Sequence, residues 1–243
     1  MRILVKIGGA QLERPDAQRE LCRGLARARR EGHELIVVQG GGNQIRSLCR
    51  SLGLPEAYHD GLRITDAATA EVVLMVLGGL VNRTLVAAMQ RCGLGAVGLS
   101  GADGGTFTAA PLQRPGVELG FVGEIAAVDP RLVRTLLASG HVPVLATTAP
   151  RAGAADGEPF WNVNADHAAG PLARAFGCDA VLFLTDVPGV LDDQRRTLPE
   201  LDAAGCRQLI AAGTARGGML PKLESALAAA AANPRALVKI APA

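Results

Sequence analysis

Residues 2–52, RILVKIGGAQLERPDAQRELCRGLARARREGHELIVVQGGGNQIRSLCRSL, run strand, helix, strand, helix. Ile3 to Ile7 is a short apolar run that reads as a buried strand, with Lys6 closing it and Gly8-Gly9 behind. Pro15 to Arg30 reads as an arginine-rich helix. Leu35 to Val38 is a second strand, ending at Gly40-Gly41-Gly42, and Asn43 to Leu52 is the helix after it. Continuous apolar strands separated by helices predict an α/β fold with a parallel sheet covered on both faces.

The rhythm continues outward. Ala67 to Cys92 reads as largely helical, with Gly78-Gly79 as a break or a point of close packing, and Ala96 to Leu99 as a strand. Thr106–Ala109 and Phe121–Ala126 are strand-like pieces among Gly and Pro, which predicts hairpins. Asp129 to Ser139 then reads as a helix, Val142 to Ala146 as a strand, and Arg151 to Pro159 as a polar loop. The remainder predicts helix Ala165–Phe176, strand Ala180–Leu184, helices Ala203–Ala212 and Leu220–Ala231, and strand Leu237–Ile240. No linker interrupts residues 1–243. Two lobes of one continuous sheet, 1–150 and 151–243, are therefore expected.

Nearly half of the 243 residues are hydrophobic, enough for a core at this size, and only 3% are aromatic. With a net charge of +2 and scattered Lys and Arg, no nucleic-acid groove or membrane face is expected. No run of about 18 uninterrupted apolar residues and no signal peptide is seen, so a cytoplasmic protein is expected. Cys22, Cys49, Cys92, Cys178 and Cys206 lie far apart without a CxxC pair, which suits reduced apolar fillers better than zinc or disulfides.

In open α/β sheets ligands bind outside the carboxyl ends of the strands. Lys6 stands at such an end, and Gly8 and Gly9 let backbone N–H groups approach an anion; a solvent-facing lysine is the plain alternative. Gly40-Gly41-Gly42 repeats this before a helix, where the dipole favours an anion, although a tight turn needs glycine too. Neither a Walker A loop nor GxGxxG is present. In Asn162-Val163-Asn164-Ala165-Asp166, alternation puts the two asparagines on one side; Asn164 also makes a good helix N-cap. Gly217-Gly218-Met219-Leu220-Pro221-Lys222 opens a helix with Pro221 expected at its first position. Lys222 then opposes the helix dipole, which makes sense if it faces a phosphate. Thr185-Asp186-Val187-Pro188-Gly189 ends a strand and offers a nucleotide-side loop or an ordinary turn. Arg63 could clamp a carboxylate with two parallel hydrogen bonds, or face solvent. The four histidines form no triad and no ligand spacing. A carboxylate nucleophile needs no base, because it is already ionised at pH 7; it needs positive charge.

Taken in order, VKIGGA (5–10), VVQGGGNQI (37–45), DGLRITD (60–66), VNRTLV (81–86), AVGLSGADG (96–104), LGFVGEI (119–125), NVNADHAAG (162–170), LTDVPGVLD (184–192) and GGMLPKLESAL (217–227) resemble the amino acid kinase family, in its acetylglutamate kinase branch. The resemblance implies a three-layer α/β/α sandwich. It also implies ATP-dependent phosphorylation of the side-chain carboxylate of N-acetyl-L-glutamate, a step in arginine biosynthesis. Lys6 and Lys222 would flank the transferred phosphoryl group as catalytic residues, and Asp166 would orient both. Gly41, Gly42, Arg63, Asn162 and Asn164 would hold the substrate. Gly8, Gly9, Thr185, Asp186, Gly217 and Gly218 would lie on the nucleotide side, with Mg²⁺ carried mainly by the ATP phosphates and no metal ligands from the protein.

Three departures stand out. Gln39 replaces the usual His, Leu80 stands where acetylglutamate kinases often carry Lys, and the chain stops at Ile240–Ala243, short of the usual Gly-Thr hairpin. Met1 lies two residues before the first strand, without the N-terminal helix of arginine-inhibited hexamers. A homodimer joined through Ala67–Cys92 and insensitive to arginine is therefore expected. The rival expectations are a kinase for carrier-protein-bound aminoadipate or glutamate, and a non-catalytic amino-acid- or nucleotide-binding regulator on the same fold.

Overall fold

The computed structural model describes residues 1–185, 189–191, 194, 196–213 and 219–242. The first half contains β1 (Arg2–Ile7), α1 (Pro15–Arg30), β2 (Glu34–Gln39), α2 (Gly42–Ser51), β3 (Tyr58–His59), β4 (Leu62–Arg63), α3 (Ala67–Val73), α4 (Asn82–Arg91) and β5 (Ala96–Leu99). Then follow β6 (Phe107–Pro111), β7 (Val122–Val128), α5 (Arg131–Ala138), β8 (Val142–Ala146), β9 (Thr148–Ala149) and β10 (Trp161–Val163). The chain continues through α6 (Ala165–Phe176), β11 (Ala180–Thr185), α7 (Ala203–Ala211), α8 (Met219–Ala232) and β12 (Leu237–Pro242).

Strand alternation decides the layers. Successive side chains leave a strand on opposite faces. Leu4, Ile36, Val38, Leu145, Val181 and Phe183 point to one face, where Val133 of α5, Leu172 and Phe176 of α6, and Ala226 and Ala229 of α8 cover them. Val5, Ile7, Leu35, Val37, Val144 and Leu184 point to the other, under Leu21 and Leu25 of α1 and Leu85 and Met89 of α4. Six strands in the order β12-β11-β1-β2-β8-β5, parallel throughout, form the middle layer. This is the expected three-layer α/β/α arrangement. Lys6 shares the parity of Leu4 and so faces α6, 3% exposed.

The two hairpin-like segments pair as β6 and β7, antiparallel. They recruit β10 and β9 into a second, four-stranded sheet. Those two strands, three and two residues long, carry too little pattern to be read beforehand.

Gly78-Gly79 does not break the long helix. Leu74–Val81 continues it as a widened π turn between α3 and α4. The Gln39 side-chain amide donates to the Leu77 carbonyl there at 2.9 Å, the kind of outside insertion that perturbs a helical ladder. Ala67–Arg91 is long and apolar enough to cross a membrane by length and composition, yet 56% of its apolar window is buried within the protein. Val73, Val76, Leu77 and Val81 pack there against Ile45 and Cys49. Four of the five free cysteines are buried; burial pushes Cys178 up to about 12 and Cys22 up to about 11, which suits inert packing groups.

Candidate active site

The connection leaving β1 runs over the α1 face, and the one leaving β11 feeds α8 on the opposite face. Adjacent parallel strands whose crossovers diverge open a crevice at their carboxyl ends. Lys6 and Gly8-Gly9 lie on one side of that crevice and Thr185, the buried last residue of β11, on the other.

Asn164 starts the assembly of the charged centre. Its Oδ1 caps α6 by accepting from the N–H groups of Asp166 at 2.8 Å and His167 at 3.3 Å, and the residue lines the cleft. Asp166 is thereby held in the first helical turn. Its Oδ1 meets Lys6 Nζ at 2.8 Å, and its Oδ2 lies 3.8 Å from Lys222 Nζ. α6 and α8 bring this about by running side by side, so close at Gly170 that an added Cβ would sit 2.9 Å from Ala229 Cα. The Asn233 side chain donates to the Gly170 carbonyl at 3.1 Å and pins the far end. Among the described residues α8 runs from Met219, with Pro221 in its first described turn.

Burial holds the Lys6 ammonium below the usual lysine range, and the Lys222 charge adds to this while Asp166 opposes it. Burial likewise pushes the neighbouring His167 imidazole down. The centre therefore holds two cations around one carboxylate, a local surplus of positive charge facing the cleft.

A cleft of about 230 Å³ opens beside it, lined by the Gly8-Gly9 and Gly40–Gly42 loops, Arg46, Tyr58, Arg63, Thr147 and residues 162–166. The two loops interlock: a Cβ on Gly9 would lie 3.0 Å from Gly41 Cα and 3.1 Å from Gly42 N. Among the described residues no side chain caps α2 at Gly41, so the first N–H groups of that helix are open to a ligand.

Arg63 arrives on the β3–β4 hairpin. Asp60 and Gly61 take φ of 47° and 77°, the positive pair of a two-residue type I′ turn, which sets Tyr58 opposite Arg63. The Arg63 guanidinium donates to the Gly42 carbonyl at 3.1 Å, lies 4.8 Å over the Tyr58 ring and comes within 3.5 Å of Glu56. Thr65 ties this arm to the asparagines: its hydroxyl donates to the Arg63 carbonyl at 2.8 Å and accepts from Asn162 Nδ2 at 3.2 Å.

The structure thus brings Lys6, Asp166, Lys222, Gly8, Gly9, Gly41, Gly42, Arg63, Asn162 and Asn164 around one cleft and its margin. Asp186, Gly217 and Gly218 lie outside the described residues. Sequence reading missed Arg46, Tyr58, Thr65 and Thr147. The Asp-Gly pair was the available signal for the hairpin that carries Tyr58. Thr147, whose buried hydroxyl finds no partner among the described residues, gave none. Among the described residues no group of three His, Cys, Asp or Glu side chains is placed to hold a metal ion.

The amino acid kinase family model matches residues 1–239. The acetylglutamate kinase of Koribacter versatilis (strain Ellin345) is 45% identical over 226 residues, which cover 93% of this chain and 84% of that one. The acetylglutamate kinase of Solibacter usitatus (strain Ellin6076) is 43% identical over 243 residues, covering 100% and 91%. Among solved structures, smu.665 from Streptococcus mutans UA159 superimposes with a TM-score of 0.86 at 25% identity, covering 99% of this chain and 94% of that one. A match running from the first strand into the last, joined to the parallel sheet and its carboxyl-edge cleft, means that the chain belongs to the amino acid kinase family.

Proposed function

We propose that this protein is an ATP-dependent kinase that phosphorylates the side-chain carboxylate of N-acetyl-L-glutamate, the reaction after which its relatives are named. The observation that carries the reading is Asp166 held between Lys6 and Lys222 beside a cleft lined by a buried arginine. A carboxylate oxygen attacks the γ-phosphorus, the bond to the β–γ bridging oxygen breaks, and ADP leaves with that electron pair. Two anions must approach and charge spreads over the phosphoryl oxygens, so preorganised cations lower this barrier. Lys6 and Lys222 supply them, while Asp166 keeps the two ammonium groups apart and aimed. Gly8, Gly9, Gly41 and Gly42 offer N–H groups to the phosphoryl oxygens and the substrate. Asn162 and Asn164 orient the substrate from the third side. Mg²⁺ enters with the nucleotide as part of the substrate.

In this reading residues 1–150 hold the acyl-amino acid, and residues 151–243 hold ATP against Thr185, Asp186, Gly217 and Gly218. A purely binding regulator would not need both lysines and their shared acid. The relatives' names favour free acyl-glutamate over a carrier-linked acceptor. Hydroxylamine trapping of the acyl phosphate, over a panel of N-acyl-glutamates and carrier-linked acceptors, tests it: ATP-dependent hydroxamate from N-acetyl-L-glutamate is expected. Turnover of a carrier-linked acceptor alone, or no hydroxamate from any, would overturn it.

Arg63 is assigned to the substrate α-carboxylate. Arg63→Ala raises KM for N-acetylglutamate by about 10- to 100-fold, the loss expected for a charge-assisted hydrogen bond, and leaves KM for ATP near wild type. Steady-state kinetics with both substrates checks this; an unchanged KM for the acyl-amino acid would remove Arg63 from the site.

The homodimer is proposed on the outer side of the long helix. Met75 and Leu80 are 52% and 61% exposed there, and among the described residues nothing beyond Gly79's own helix lies within 4 Å of where a side chain on it would begin. A two-fold pairing of this face would bury both. Light scattering is expected to show a dimer that becomes a monomer on Leu80→Glu with Met75→Glu. A wild-type monomer, or an unaffected dimer, would contradict it.

A further inference from the structure

Beside Arg63, a second guanidinium stands at the cleft. Arg46, one turn into α2, lines the cleft with its side chain 44% exposed, against 7% for Arg63. Its Nε lies 3.4 Å from one Glu56 oxygen, while Arg63 Nη1 lies 3.5 Å from the other. The Tyr58 ring is shared in the same way, with Arg63 at 4.8 Å and Arg46 at 5.9 Å from its centre. Arg46 also donates to Asn43 Oδ1 at 3.2 Å, which fixes its outer end on its own helix.

Two cations, one carboxylate and one ring therefore form a single cluster with one uncancelled positive charge. Glu56 can neutralise one guanidinium but not both, and the remainder faces the cleft. The ring face is attractive to cations and helps to hold both guanidinia in place. The difference in exposure orders the pair: an entering anion meets the solvated Arg46 before it reaches the buried Arg63.

Resting on the reading of the preceding section, we infer that Arg46 is a specificity-determining residue. It is the outer arm of a two-arginine clamp that captures the α-carboxylate of the acyl-amino acid and passes it to Arg63. Arg46 touches no group that changes charge during phosphoryl transfer, so it acts on capture and not on the chemical step. It also acts over distance, because one uncancelled charge at a cleft mouth raises the encounter rate of an anion and is screened by salt.

The test compares wild type, Arg46→Gln and Arg46→Lys with two acceptors: N-acetyl-L-glutamate and its α-carboxamide, which keeps the reacting carboxylate and lacks the clamped one. Arg46→Gln is expected to raise KM for N-acetylglutamate about 5- to 10-fold, with kcat within about twofold of wild type. The fall of kcat/KM between about 20 and 300 mM salt should flatten in this variant. Arg46→Lys should recover the salt dependence and only part of the KM, because an ammonium lacks the fork. The α-carboxamide, which keeps one negative charge instead of two, should show a much smaller rise in KM than the acid in the Arg46→Gln enzyme. If Arg46→Gln raises KM for acid and amide alike, or lowers the melting temperature along with it, Arg46 is structural and the inference is wrong. An unchanged KM for the acid rejects it too. If instead the wild-type enzyme forms no hydroxamate from either acceptor, it is the underlying kinase reading that fails.

Discussion

Lys6→Ala and Lys222→Ala each lower kcat by about 10²-fold or more, the usual loss when one preorganised charge-stabilising group is removed. The geometry sets them apart from surface lysines. Lys6 sits in a parallel strand, 3% exposed, with its ammonium on Asp166. Lys222 sits in the first turn of α8, where the helix dipole disfavours a cation, and the same aspartate faces it at 3.8 Å. A buried cation and one placed against a dipole both cost stability locally, and such costs persist at sites where charge is used. The charge spread over the phosphoryl oxygens and the leaving oxygen in the transition state is what they stabilise, so kcat falls more than KM changes. Lys6→Arg fails as well, since the larger planar group has no room beside the interlocked glycine loops. Rapid-quench measurement of the chemical step, with circular dichroism confirming the fold, checks both. A folded Lys6→Ala or Lys222→Ala enzyme with near-wild-type kcat would show that its lysine does not stabilise the transferred group.

Asp166→Asn carries the second large effect, and its size depends on pH. Burial and the Lys222 charge already depress Lys6, and Asp166 is what raises it. Asparagine keeps the shape but removes that support, so Lys6 releases its proton at a lower pH than in the wild type. The alkaline limb of the kcat profile, where the lysine loses its charge, therefore moves toward acid. A lysine whose folded-state pKa lies below its unfolded value penalises folding below that pKa; the penalty is relieved as pH rises toward the unfolded value. The variant's stability deficit, about 3 kcal/mol where Lys6 is charged, should shrink with rising pH. Chemical denaturation at several pH values, beside the activity profile, measures both. A deficit that grows with pH, or an unmoved alkaline limb, would mean that Asp166 does not support the Lys6 charge.

The residue pattern alone determined the layers of this protein and the identity of its charged groups. Helices Pro15–Arg30 and Ala165–Phe176 begin and end where the sequence places them, because caps and periodicity are local properties. The apolar runs at 3–7, 35–38 and 180–184 are legible for the same reason: burial on both faces writes a continuous run into the chain. Lys6, Asp166 and Lys222 were legible as candidates: Lys222 by opposing the helix dipole, Lys6 by its place at a strand end before two glycines, and Asp166 by its place in the NVNADHAAG segment. Only the tertiary structure decided the rest. The Gln39 contact with Leu77 lies within a widened helix where the glycine pair suggested a break or close packing, a contact that no neighbouring residue encodes. Residues 161–163 are too few to show a strand period, and they become one by pairing with β7 and β9. The arginine cluster joins a helix, a loop and a hairpin through one carboxylate and one ring. The free energy of such a cluster depends on distances between segments, which periodicity and capping, being local, do not carry.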